Sequence, residues 1–168
     1  MLVPPVNFAL VVGQLYRSGH PINLNYQFLE TLNLKTVIYV GENCPETISA
    51  EYKVWLEKQG INYIHFPSPS VSEPFTETDV GKVTEVLKLI IDERNYPILM
   101  HSNKGKHRVG VIVAVVRKCL QQWCLTPLYE EYIRYVKGKA DSDFLFIEHY
   151  EFEDRDVVVE HFPRWVMR

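Results

Sequence analysis

Apolar positions along the chain change period several times, and each change predicts an element. Phe8–Gly19 (FALVVGQLYRSG) carries two short apolar runs around Gly13-Gln14, the pattern of two strands joined by a turn. Asn23 to Leu32 predicts a short helix. Thr36–Val40 (TVIYV) is β-branched with no polar alternation, as a strand buried on both faces would be. Ser49 predicts the cap of a helix that runs to Gln59 and stops at Gly60. Ile61–Phe66 predicts another strand, and a loop with Pro67, Pro69 and Pro74 follows it. Val80, Val83, Val86, Leu87, Ile90 and Ile91 recur at helical spacing, so a helix is expected through Asp92, capped by Thr76 or Thr78. Ile98–Met100 predicts a strand. Val109–Gln122, Thr126–Lys137 and Asp141–Glu151 predict helices, the last capped by Asp141 or Ser142.

Strands that alternate with helices predict an α/β fold with a mostly parallel central sheet flanked by helices. A chain of 168 residues suits one domain over positions 1–168. The net charge of −3 offers no global attraction for nucleic acid, and none is expected as a partner. Cys44, Cys119 and Cys124 form no CxxC pair, and Cys119 and Cys124 read as packed thiols. The sequence shows no signal-peptide pattern and no apolar run near the ~18 residues of a membrane span. A reducing compartment is therefore expected, the cytoplasm or nucleus, with no membrane partner.

Charge changes the picture at one place. In Pro97–Lys118 (PILMHSNKGKHRVGVIVAVVRK) a strand-like run meets a helix-like run through a loop holding Lys104, Lys106, His107 and Arg108. Cations at a helix N-terminus oppose the helix dipole, at ~0.3–1 kcal/mol each. A bound anion reverses that penalty. Strand, tight loop and helix also aim backbone N–H groups at one spot. Gly105 allows the loop to wrap closely, and Arg108 can grip two phosphate oxygens. Candidate phosphate-binding residues are thus Ser102, Asn103, Lys104, Gly105, Lys106, His107 and Arg108. A Walker-type nucleotide loop is a poor alternative, because Gly105-Lys106 is followed by His107 and no glycine stands at the required upstream position. No His/Asp/Glu cluster has metal-ligand spacing, and the basic loop supplies the charge a metal would bring, so no metal or cofactor is expected.

The spacing Ser102-x5-Arg108, with His101 before it and Gly110 after it, resembles the signature loop of cysteine-dependent phosphatases. GKHR followed by x-G is similar to the plant and fungal atypical dual-specificity phosphatases, including the fungal oxidant-induced cell-cycle-arrest group. VNF (Val6–Phe8), YRSGHP (Tyr16–Pro21), FLETLNLKTVIYV (Phe28–Val40), EPF (Glu73–Phe75) and RKCLQQWCLTPLYEEY (Arg117–Tyr132) match the same family in order. The resemblance covers Val6 to Asp143 and leaves out Ile147 to Arg168. It implies a phosphatase-like α/β fold, and phosphate-ester or phosphoanhydride hydrolysis through a phosphocysteine. It also implies inositol pyrophosphates, or phosphotyrosine in vitro, as substrates. The charge of the loop suits an inositol polyphosphate or pyrophosphate better than one phosphotyrosine. Ser102 and Arg108 stand at the family's catalytic positions.

Two residues depart from the signature. Ser102 stands where the family has its cysteine. A thiol of pKa ~8.5 is ionised near neutral pH by a helix N-terminus and nearby cations, whereas a serine hydroxyl needs an adjacent general base. The loop offers His101, better suited to orienting it, and His107, set among cations that disfavour proton uptake. Val109 stands where a Ser or Thr hydroxyl would assist departure of the sulfur. An engineered Cys-to-Ser change in an active phosphatase is one explanation. Natural loss, giving a pseudophosphatase that binds phosphorylated ligands and protein partners such as related phosphatase-family proteins, is the other. A deliberate knockout needs a single change, so two missing groups favour natural loss.

The remaining candidates have plainer readings. Glu73, Glu77 and Asp79 are the carboxylates near the expected acid loop, with loop anchoring and helix-dipole roles as alternatives. Arg17 reads as a structural arginine tying the N-terminal strands to the domain, with a pocket-wall role as the alternative. Tyr129, Tyr132 and Tyr135 read as helix packing. The tail holds an acidic run (Glu151–Asp156) and then VVVEHF, expected to pack back on the domain or to offer a partner-binding edge.

Overall fold

The computed structural model describes residues 1–42, 48–68, 75, 79–136, 141–152 and 159–167. Among the described residues, five strands form one sheet in the order β1-β2-β5-β3-β4. They are β1 (Ala9–Val12), β2 (Leu15–Ser18), β3 (Thr36–Gly41), β4 (Asn62–Pro67) and β5 (Ile98–His101). Only the β1–β2 hairpin is antiparallel, turning at Gly13, whose φ is +55°. The β2–β5, β5–β3 and β3–β4 pairs are parallel. All six residues of β3 are buried, as a strand covered on both faces requires. Ile38 pairs with Met100, and Tyr39 with His101, so the C-terminal ends of β3 and β5 open onto the same edge. The sequence-predicted α/β class with a mostly parallel sheet is the observed one.

Alternation along the strands sends side chains to two helical layers. Val37 and Leu99 meet α1 (Tyr26–Glu30) and α2 (Ala50–Gln59) through Leu29, Tyr52, Trp55 and Leu56. Ile38, Val40, Ile98 and Met100 face the larger cluster of α3 (Val80–Ile90), α4 (His107–Val115), α5 (Leu125–Tyr135) and α6 (Asp141–His149). Each fully buried aliphatic side chain there contributes about 1.5–3 kcal/mol. Ser49 caps α2 as expected, accepting the Tyr52 N–H at 3.2 Å, and Gly60 ends it at φ +65°. No helix among the described residues is long and apolar enough to cross a membrane.

Four sequence expectations change. Asn23–Leu32 is not one α-helix: a 3-10 turn over Asn23–Asn25 precedes α1, because the Asn25 side chain accepts the Ile22 N–H at 2.9 Å and tightens the start. The helix after the basic loop begins at His107 rather than Val109. It widens to π geometry over Val116–Leu120, where Glu131 and Gln121 hold the buried guanidinium of Arg117 at 2.7–2.9 Å. Val80 proves exposed, whereas Val83, Val86, Leu87 and Ile90 of α3 are buried. Cys124 is exposed at the start of α5, and only Cys119 is half-buried against the core. The proposed caps Thr76 and Thr78 lie outside the described residues, as do Cys44, Glu73, Glu77 and positions 153–158 of the tail. The described end of the tail packs back: Phe162, Trp165 and Val166 lie against the main core, and the Met167 N–H donates to the Leu120 carbonyl at 2.8 Å.

A candidate anion-binding loop

The loop 102–106 leaves β5 at His101 and enters α4 at His107. Its carbonyls from Asn103 to Lys106 are turned outward and bonded. The His20 N–H donates to the Asn103 carbonyl at 3.1 Å. The Asn7 amide donates to the Lys104 carbonyl at 2.7 Å. Arg17 Nη2 donates to the Gly105 carbonyl at 2.9 Å and reaches the Lys106 carbonyl at 3.4 Å. The Lys106 carbonyl also accepts the Gly110 N–H at 2.8 Å, the first bond of α4. In a planar trans peptide the N–H opposes the C=O. The N–H groups of Lys104, Gly105, Lys106 and His107 therefore face inward. One is fixed directly, since the Gly105 N–H donates to Ser102 Oγ at 3.1 Å. Lys106 offers no side-chain cap to α4, so the helix presents its first amides and dipole to the same space.

Gly105 is dictated twice. Its φ is +67°, and a Cβ there would run into the backbone of Ser18 and Gly19. Asn7 also sits at positive φ, +54°, a conformation Asn tolerates, and this aims its amide at the loop. Arg17 is 2% exposed, and its guanidinium lies 3.7 Å from the Tyr135 ring centroid. Burial pulls its pKa down from 12.5 to about 10. The structural reading of Arg17 fits this geometry, but what it ties down is the back of the loop rather than strands alone.

Of the sequence candidates, Ser102, Gly105 and Arg108 are buried at the loop, Lys106 and His107 are half-buried, and Asn103 and Lys104 are exposed. Arg108 Nη2 pairs with Glu42 Oε1 at 2.6 Å, just past the end of β3. Val109 is fully buried in the core. Gly110 admits the Tyr132 ring, which a Cβ would meet at 2.9 Å. Asp79 is 3% exposed and accepts Lys82 Nζ at 3.1 Å at the start of α3. Its neighbours Val40, Phe66, Phe75 and Val83 line a small apolar pocket.

Neither histidine is hydrogen-bonded to Ser102 Oγ among the described residues. His101 is fully buried, its Nε2 lies 3.0 Å from the Tyr52 hydroxyl, and burial, followed by the charge of nearby His20, pushes its pKa down to about 3. His107 turns Nδ1 away toward Asp143 Oδ2 at 3.3 Å. Among the described residues, Ser102 Oγ is bonded to the Gly105 amide alone. Among those residues, too, no group of three His, Cys, Asp or Glu side chains is placed to hold a metal ion.

Sequence reasoning missed Glu42, Tyr39, Tyr52 and Asp143. Tyr39 donates to Asn103 Oδ1 at 2.8 Å. Tyr132, read as packing, also reaches out to Asp143 through its hydroxyl. A polar residue inside an apolar stretch was the available signal, as at Tyr39 in TVIYV and Asp143 in SDFLFI.

The geometry has known counterparts. Tyrosine-protein phosphatase-like protein OCA2 of Saccharomyces cerevisiae is 44% identical over 155 residues, 89% of this chain and 76% of that protein. Inositol diphosphatase DSP1 of Oryza sativa is 38% identical over 164 residues, 97% of this chain and 70% of that one. The core catalytic domain of the S. cerevisiae PP-IP phosphatase SIW14, solved in complex with citrate, superposes with a TM-score of 0.78 at 35% identity, covering 93% of this chain and 91% of that chain. The sequence profile of the tyrosine phosphatase family matches residues 2–165. With its loop, its sheet and these relatives, the chain belongs to the tyrosine phosphatase family.

Proposed function

We propose that residues 102–108 bind the phosphates of an inositol polyphosphate or pyrophosphate, and that the protein does so without hydrolysing them. The whole chain acts as one such domain. The observation that carries the reading is the set of outward carbonyls at Asn103 to Lys106, which turns the following amides onto one centre beside Arg108. Inositol diphosphatases and a PP-IP phosphatase among the relatives support the ligand class. Lys104, Lys106, His107 and Arg108 supply charge for more than one phosphate group. Loss of chemistry is supported by the absence of a base bonded to Ser102 Oγ among the described residues and by an apolar, core-buried Val109 where the signature carries a hydroxyl. A non-hydrolysing domain of this kind suits a role in the cytoplasm as a binding module for protein partners, related phosphatase-family proteins among them.

The test compares the chain with Ser102→Cys and Ser102→Cys/Val109→Thr. Phosphate release from an inositol pyrophosphate and binding of inositol hexakisphosphate are both measured. The expected result is binding by the chain itself, no release by it, and little release by the single variant. Rapid turnover by Ser102→Cys alone would mean that only the nucleophile is missing, as in an active phosphatase bearing an engineered serine.

A further inference from the structure

The group on the loop that neither the signature nor the proposed function explains is His107 with its buried partners. Asp143, on α6, has a side chain 10% exposed, and it lies beneath a histidine 32% exposed. Its Oδ2 accepts from the Tyr132 hydroxyl and faces His107 Nδ1 at 3.3 Å. Burial, and then the bond to Asp143, push the Tyr132 phenol far up, so it keeps its proton. That single proton is given to Asp143. The carboxylate has none to give, and the Tyr132 oxygen, 3.4 Å from Nδ1, has spent its own. Nδ1 must therefore carry a hydrogen.

We infer that Asp143, seated by Tyr132, is a positioning residue that keeps a proton on Nδ1 of His107 and leaves Nε2 to take up a second when an anion enters the loop. This rests on the reading of residues 102–108 as a phosphate site, and it adds that the site binds anion and proton together. The proton comes from solvent to the Nε2 lone pair, and no bond between heavy atoms forms or breaks. The groups packed around the histidine set the balance. Asp143 of α6 and Tyr132 of α5 favour or tolerate the cation. Lys106 and Arg108 on either side, and Arg17 of β2 at the Lys106 carbonyl, oppose it while the loop is empty. An entering anion offsets that opposition, so Asp143 supplies the counter-charge that makes the second proton acceptable.

The probe is myo-inositol hexakissulfate, whose own charges do not titrate near neutrality. Its affinity is measured by calorimetry from pH 6 to 8, and the 15N shifts of His107 are read in the ligand-free protein. The expected shifts place the hydrogen of neutral His107 on Nδ1. Affinity should rise as pH falls, by up to about tenfold per pH unit, the limit for one coupled proton. Asp143→Asn and His107→Gln should each flatten that rise, and together flatten it no further. His20→Gln, which alters a different histidine side chain near the loop and leaves the His20 backbone N–H on the Asn103 carbonyl, should keep it. A hydrogen on Nε2 in the free protein, a slope that survives His107→Gln, or a slope lost in His20→Gln overturns the inference. No binding by the unmodified chain at any pH overturns the anion-site reading and this one together. Thermal unfolding of each variant shows that it is folded, and the shifts need no variant.

Discussion

Replacing Arg17 with methionine separates fold from site. The guanidinium is buried, and the fall of its pKa from 12.5 to about 10 is a net penalty on the charge of about 3 kcal/mol, at 1.36 kcal/mol per unit. Methionine removes that penalty. Against it stand a charged hydrogen bond to the Gly105 carbonyl at 2.9 Å, about 1.5–3 kcal/mol, and a desolvated cation–π contact with Tyr135, about 2 kcal/mol. The terms nearly cancel, so stability should move by no more than about 2 kcal/mol. Binding should not be spared. With no donor at its back, the Gly105 carbonyl is free to rotate, and the Lys106 amide in the same peptide turns with it. The expected loss is at least about tenfold in affinity for inositol hexakisphosphate, or about 1.4 kcal/mol. Urea unfolding and isothermal calorimetry on the same preparation provide both numbers. Unchanged affinity with a loss of stability of 4 kcal/mol or more would refute the argument, because Arg17 would then be fold cement alone.

Further outcomes follow from the same contacts. Gly105→Ala places a Cβ against Ser18 and Gly19 at φ +67°, so it should abolish inositol hexakisphosphate binding and lower stability by more than the ~1–2 kcal/mol of a left-handed alanine; calorimetry and thermal unfolding check both. Tyr52→Phe strips the buried His101 Nε2 of its partner and should cost about 1–3 kcal/mol in urea unfolding. His101 itself makes stability depend on pH. Its folded pKa of about 3 lies below the ordinary 6.5, so the unfolded chain binds the proton first. Stability should therefore fall steadily as pH drops from about 6.5 toward 3, and His101→Asn should flatten that part of the profile measured by urea titration.

Local rules carried much of the reading. The β-branched run Thr36–Val40, the Ser49 cap with its Gly60 stop, and the apolar spacing of Val83 to Ile91 act within one element, where period and turn chemistry are enough. The concentration of cations between Lys104 and Arg108, and a glycine among them, were equally legible, because charge and conformational freedom belong to single residues. The elements that strayed were those in which a side chain outbid the local pattern. Asn25 tightened the first helix, and Arg117 sits where α4 widens.

Only the tertiary structure decided how the loop is used. Its carbonyls are held outward by Asn7, Arg17 and His20, which lie 83–97 positions earlier in the chain. Glu42 comes to Arg108 across 66 positions, and Asp143 to His107 across 36. No period links such pairs. They meet because parallel β2 and β3 flank β5 and end at one edge, and because Gly110 lets Tyr132 close on α4. The sequence by itself determined an α/β scaffold, a cationic loop and a serine in it. Folding determined which way each peptide of that loop faces, since that depends on hydrogen-bond partners the fold alone brings within 3 Å.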